Sequence, residues 1–305
     1  MGAKVITTAD TIRELTREHL TQRNGLLFGQ CVKAVGWIGG TVPDCEGIVE
    51  LPTTDVAGAG FAVGAALAGR RPIFVVRYQG FMWLNASPLV NYAAKSKAVW
   101  QQPCPVFIRA IGMEGNGIGH TASGTLHSLF MHTPGLKVAA PMTPNEYRQV
   151  WRNFLEDDDP VYCSEHRRSF AVDFELMDRY VPGADITIIA VSAARLALTE
   201  VVKELEERGI LCNAFNLVWL KPFNPSEALL MSLQVTGRGL VIDTDHEICG
   251  AARSLAYELT LKTGVPVHAM GREDRVCGAS AATENVTPSA EQIVQRVKKI
   301  IEGDL

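Results

Sequence analysis

Short apolar runs alternate with longer stretches of helical spacing along the whole chain. Gly47–Leu51, Ile73–Tyr78, Pro105–Ile111, Gly135–Ala140 and Pro160–Ser164 have strand length and strand character. Between them, Trp83–Trp100 carries a helical pattern. A second helix opens at Thr143-Pro144-Asn145-Glu146, with Thr as cap, Pro in the first turn and Glu reaching back as a capping box. It runs to about Leu155 and closes in the acidic turn Glu156–Asp159. Continuously apolar strands alternating with helices predict a parallel sheet covered on both faces.

The alternation restarts after Asp178–Asp185. Ile186–Val191, Leu211–Leu217, Gly239–Asp243 and Val265–Met270 read as strands. Ala193–Arg208 closed by Gly209, a capped helix from Asn224-Pro225-Ser226-Glu227, and Ala251–Thr263 ending at Gly264 read as helices. The pattern predicts an α/β chain of two three-layer α/β/α domains, 1–182 and 183–305.

Composition narrows the function. At 305 residues the chain exceeds what one core usually serves. A net charge of −4 without a basic tract argues against nucleic acid and anionic membrane as main partners. No apolar run reaches a membrane span, and Met1–Thr7 lacks a signal-peptide core, so a cytoplasmic protein is expected. The seven cysteines are scattered and form no C-x-x-C, and read as buried thiols.

One segment stands apart. Leu51-Pro52-Thr53-Thr54-Asp55 leads into Val56–Gly69, a helix of almost wholly small residues. Small residues let a helix be gripped closely, as at a subunit interface. Asp55 suits an N-cap; alternatively it is a working carboxylate. Gly112–His120 is glycine-rich but is neither G-x-G-x-x-G nor a P-loop, and reads as a mobile loop carrying Glu114 and His120 to a cleft. His120, His127 and His132 lack metal-ligand spacing. Phe81 and Trp83 are core aromatics or a platform for a flat ring. Arg77 must be exposed, paired or placed to meet an anion. Asp243, Asp245, His246 and Glu247 read as a solvated loop.

The order of motifs resembles the beta subunits of thiamine-diphosphate-dependent 2-oxo acid dehydrogenases, within the wider transketolase group. The resemblance rests on Pro52–Pro72, Asn91-Tyr-Ala-Ala-Lys95, Pro103–Arg109, His132–Val138 with Pro141, Asp159-Pro-Val161, Glu165, Leu220-Lys-Pro222 and the Gly250 region. It implies a pyrimidine-binding domain followed by a transketolase C-terminal-like domain. It also implies that the chain works only with an alpha-type partner, in an α2β2 assembly whose partner chain holds Mg2+ and the diphosphate. No Gly-Asp-Gly occurs in this sequence to hold them itself.

By resemblance, Asp55 stands where the family has the glutamate that protonates the aminopyrimidine ring. Thr53, Asp55 and Phe81 are the expected cofactor-binding residues, Asp55 and His120 the expected catalytic ones, and Arg77 and His120 the expected contacts to substrate or acceptor. No metal ligand is expected on this chain, and a potassium site is left open. The implied reaction decarboxylates a 2-oxo acid and passes the acyl unit to an acceptor, lipoamide on a partner acyltransferase in the family. Four departures gather at the substrate mouth: Asp55 for Glu, Arg77 where a glutamine is common, Ser87-Pro88 for Asp-Gln, and Ala122 where the gapless register expects the loop histidine. They keep open a split transketolase-like or carboligating enzyme, and a non-catalytic structural subunit.

Overall fold

The computed structural model describes residues 6–33, 38–115 and 117–304. The reading of the extreme N-terminus falls on residues outside that range. The chain divides into two compact units, one comprising residues 1–113 and 118–175, the other 114–117 and 176–305.

In the first unit, α1 (Thr8–Gln22) precedes β1 (Leu26–Gly29), β2 (Ile48–Glu50), α2 (Val56–Leu67) and β3 (Pro72–Val76). There follow α3 (Met82–Pro88), α4 (Ala94–Trp100), β4 (Phe107–Gly112), α5 (His127–Met131), β5 (Lys137–Ala139), α6 (Pro144–Glu156) and β6 (Val161–His166). Its strands lie in the order β2-β1-β3-β4-β6-β5, each pair parallel. Side-chain alternation divides the sheet faces. Phe107 meets Tyr147, Trp151 and Phe154 of α6. Phe74, one residue on from Ile73 beside Phe107, faces Gly58 of α2.

The helix expected over Trp83–Trp100 is continuous except for one π turn, Leu89–Ala93, directly after Pro88. A proline inside a helix lacks the N–H its turn needs, and the wider turn absorbs that fault. Thr143 caps α6 as expected, accepting from the Glu146 N–H at 3.4 Å, but the Glu146 carboxylate takes the Met142 N–H at 2.9 Å instead of closing a capping box.

Two buried features hold this unit. Arg109 on β4 donates to both oxygens of Glu165 on β6, at 2.6 and 2.8 Å, and to Thr41 Oγ1 at 2.8 Å. The Tyr147 hydroxyl donates to Glu165 at 2.7 Å. Burial opposes the Arg109 charge, but the facing carboxylate outweighs it and holds the guanidinium charged. Separately, His19 is packed edge-on against Trp151 and Phe154, with Nε2 2.6 Å from the Arg71 carbonyl. Burial lowers its pKa. The neutral ring therefore stabilises the fold above about pH 6.5, and that contribution is lost as pH falls through the depressed folded value. Thermal unfolding from about pH 7.5 down to about pH 5 is expected to show a steeper loss of Tm for the native chain than for His19→Gln.

In the second unit, β7 (Ile186–Val191), α7 (Leu198–Glu207), β8 (Cys212–Leu217), β9 (Trp219–Lys221), α8 (Glu227–Thr236), β10 (Gly239–His246), α9 (Ala251–Thr263), β11 (Val267–Arg272) and α10 (Ala290–Glu302) follow in sequence. Parallel strands run β11-β10-β7-β8. Ile186, Ile188 and Ala190 pack with Val201 and Leu205 of α7 and Ile293, Val297 and Ile300 of α10. On the opposite face Thr187 bonds Ser232 and Thr236 of α8 at 2.7 and 2.9 Å. Helices thus cover both faces of this sheet.

Two expectations are corrected. The acidic cluster is no solvated loop: Asp243 and Asp245 are buried within β10, Asp243 accepting the Thr244 N–H at 2.6 Å and Asp245 lying 3.6 Å from buried Arg272. Of the cysteines, Cys104, Cys163, Cys212 and Cys277 are buried, while Cys249 is exposed and Cys31 and Cys45 are half-buried. Burial pushes the Cys104 and Cys212 thiols up to about 11.

Candidate functional site

The carboxyl ends of β1, β2 and β3 lie side by side, and the segments leaving them build one cleft. Such ends are where open parallel sheets bind ligands. Gln30 follows β1, Asp55 follows β2, and Arg77 follows β3; Phe81 and Asn85 arrive on the next turn and on α3. These five residues line the cleft together with Phe74, Val75 and Val76. It encloses about 20 Å³, room for roughly one water.

Asp55 occupies the N-cap position of α2, yet its side chain makes no cap bond. Gln30, its amide oxygen turned toward this segment, accepts the N–H groups of Asp55 at 3.1 Å and Thr54 at 3.3 Å, the two amides that precede the helix, while the Ala57 N–H is taken by the Thr54 carbonyl at 2.9 Å. The Asp55 carboxylate accepts from Asn85 Nδ2 at 3.3 Å. The backbone of Asp55 has φ 27° and ψ −83°, a conformation that L residues rarely adopt. Strain of this kind concentrates at working sites. The N-cap reading of Asp55 is thereby corrected.

Phe81 is half-buried at the end of a single 3-10 turn, Gln79–Phe81. Gln79 anchors that turn with both ends of its amide. Nε2 donates to the Ala110 carbonyl at 3.0 Å and Ser164 Oγ at 2.9 Å; Oε1 accepts from the Leu126 N–H at 2.6 Å and the Tyr162 hydroxyl at 3.0 Å. Arg77 is half-buried, its guanidinium 5.9 Å from the Tyr78 ring. Trp83 is not a core residue, being 67% exposed, and it does not line the cleft.

The other sequence-derived residues are placed differently. Thr53 is exposed and does not line the cleft. His120 is exposed in the turn after β4, also outside the lining. Its loop nonetheless touches the site, because a Cβ on Gly80 would stand 2.0 Å from the Thr121 carbonyl oxygen. Gly80→Ala is expected to push the His120 loop outward and cost about 1–3 kcal/mol, measurable by urea unfolding. Glu114 does not accompany His120. It belongs to the second unit, where it accepts the Thr287 N–H at 2.8 Å and the Thr287 hydroxyl at 2.7 Å. His127 is buried against Ser164 Oγ at 3.0 Å.

Gln30 and Asn85 did not emerge from the sequence. Amides carry no charge pattern, and only the fold brings residues 30, 55 and 85 together.

Residues 47–172 match the family described as transketolase, pyrimidine binding domain, and residues 177–293 match transketolase, C-terminal domain. The chain belongs to this transketolase-like family, which is thiamine-diphosphate-dependent. Within the family it is a beta-type chain. It is 27% identical over 279 residues to the beta subunit of acetoin:2,6-dichlorophenolindophenol oxidoreductase from Cupriavidus necator, covering 84% of this chain and 81% of that one. It is 24% identical over 272 residues to the pyruvate dehydrogenase E1 component subunit beta of Rickettsia felis, covering 83% of each. Among solved structures it superposes on a split-gene transketolase described as an inactive beta4 tetramer, with TM-score 0.76, 20% identity, and coverage of 97% of this chain and 98% of that one.

Proposed function

We propose that this chain is the beta-type half of a thiamine-diphosphate-dependent 2-oxo acid decarboxylating enzyme, supplying the pyrimidine side of a site completed by an alpha-type chain. The observation that carries the reading is the Asp55 carboxylate, which makes no cap bond to its helix and is held by Asn85 in the cleft that Phe81 lines. An aminopyrimidine ring needs a carboxylate toward a ring nitrogen and an aromatic wall, and this chain has both. When bound, the cofactor supplies the carbon nucleophile and the electron sink for decarboxylation.

Each residue then has one task. Asp55 holds the proton shared with the ring nitrogen, a role that depends on a short, aligned hydrogen bond. Phe81 packs on the flat ring. Arg77 offers a guanidinium to the carboxylate of a 2-oxo acid. The enclosed volume is far below that of a ring, which supports a cofactor clasped by a second chain. So does the surface beside the cleft: Gly60 and Gly64 of α2 have open space where a Cβ would stand, next to exposed Val56, Phe61, Trp83 and Leu84. Apolar patches of this kind mark docking faces. The partner is expected to carry Mg2+ and the diphosphate, in an α2β2 assembly, with a lipoyl acyltransferase as acceptor.

The test is calorimetry with thiamine diphosphate and Mg2+, on this chain alone and on the chain co-expressed with its alpha-type partner. Binding by the complex alone supports the shared site. No binding by a well-formed complex sinks the cofactor assignment of Asp55 and Phe81. Ser87-Pro88 beside the π turn and the exposed His120 favour a second reading, a carboligating or split transketolase-like enzyme. Acyl transfer to a carbonyl compound in place of a lipoyl domain selects it. A purely structural subunit is selected if Asp55→Ala leaves the complex fully active.

A further inference from the structure

We propose that Asn85 is a positioning residue for Asp55, and that the two form one working unit built around an acid shorter than the family's glutamate. The inference rests on the cofactor reading given above.

Asn85 sits on the first turn of α3 and is 3% exposed. Its Nδ2 donates to Asp55 Oδ1 at 3.3 Å and to the Phe81 carbonyl at 2.8 Å. A side-chain amide nitrogen has two N–H groups, and here each finds an acceptor. Both neighbours are acceptors, so the amide can sit only one way round. One buried group therefore ties the acid to the segment that carries the aromatic wall.

The Asp55 side chain has two rotatable bonds and makes no bond to its own helix. Left alone, its carboxylate could turn back onto the N-terminal amides of α2, as an N-cap acid does. The Ala57 amide is already taken by the Thr54 carbonyl at 2.9 Å, and Asn85 draws Oδ1 into the cleft. A longer acid at position 55 would carry its carboxylate past the place where Asn85 meets it. Asn85 does not act on the cofactor itself; it acts through Asp55.

The experiment uses the complex with the alpha-type partner and needs no substrate. Thiamine diphosphate affinity is measured by calorimetry. Exchange of the thiazolium C–H of the bound cofactor with deuterium is followed by NMR. The variants are Asn85→Ala, the isosteric Asn85→Asp, Asp55→Glu, and Asp55→Glu with Asn85→Ala. Asn85→Ala is expected to slow exchange about 10- to 100-fold while changing affinity by less than about threefold. Asn85→Asp places like charges together and should slow it at least as much, and it serves where the alanine variant fails to fold. Asp55→Glu should be slow in the native background and partly recover when Asn85→Ala makes room, a strongly non-additive pair.

Exchange unchanged in both Asn85 variants, or effects at 55 and 85 that simply multiply, would overturn the proposal while leaving the cofactor reading standing. Failure of the unsubstituted complex to bind thiamine diphosphate overturns both.

Discussion

Asp55→Ala is expected to lower decarboxylation by the assembled complex by about 10²- to 10⁴-fold, the usual loss when a positioned acid–base group is removed. Its folding stability should hardly change. That pairing distinguishes the two roles open to an acid at this position. An N-cap aspartate replaced by alanine costs about 0.5–2 kcal/mol, but Asp55 makes no cap bond and the Ala57 N–H is already held by the Thr54 carbonyl. Asp55→Gly should even raise stability by a few tenths to about 1 kcal/mol, because glycine accepts a positive φ freely. Steady-state decarboxylation assays with pyruvate as the first probe, beside urea unfolding of the same variants, measure both quantities. A variant that unfolds more easily yet keeps its activity would return Asp55 to the role of a cap. Asp55→Glu adds a sharper comparison. Restored or raised activity means the longer acid finds the same partners; abolished activity means the cleft is fitted to the shorter one.

Glu165→Gln is expected to destabilise the first unit by about 3–5 kcal/mol, the cost of leaving one charge of a buried pair unanswered. Arg109 and Glu165 are 0% and 1% exposed, so the guanidinium left behind stays out of reach of bulk solvent. The Tyr147 hydroxyl loses its charged acceptor in the same step. Denaturant titration should show the midpoint falling with little change in slope. A triple replacement, Arg109→Met with Glu165→Leu and Tyr147→Phe, removes every charge together and should cost less than the single change. A near-neutral Glu165→Gln would show that the pair contributes specificity of packing and not stability.

Strands β3, β4, β6, β7 and β10 were legible because they are almost wholly buried, and full burial writes itself as an unbroken apolar run. Ile186–Val191 is the plainest case, matching β7 end to end. Ala251–Thr263 was equally plain, since Gly264 takes the left-handed conformation that closes α9. Helices α1 and α10 were passed over, although each begins with a capping box, Thr7 with Asp10 and Ser289 with Gln292. Their polar faces are long, and a narrow apolar stripe is easily lost among charged neighbours. Around the cleft, Asp55, Arg77 and Phe81 were legible as candidates because charge and aromaticity stand out beside a strand end. Gln30 and Asn85 were not, because their meaning lies in what they touch across 25 and 30 residues of sequence. His120 was drawn toward the cleft by motif order, whereas the turn that carries it leaves the imidazole in solvent.

The apolar face beside α2 bears on how a cell must make this protein. Val56 and Phe61 of α2 and Trp83 and Leu84 of α3 are each more than half exposed on the single chain. A copy synthesised in excess of whatever covers them carries that surface into water, where it invites aggregation and capture by quality-control machinery. The level of this chain in the cell should therefore follow the supply of its partner more closely than its own rate of synthesis, and matched translation of the two would be the economical way to keep either.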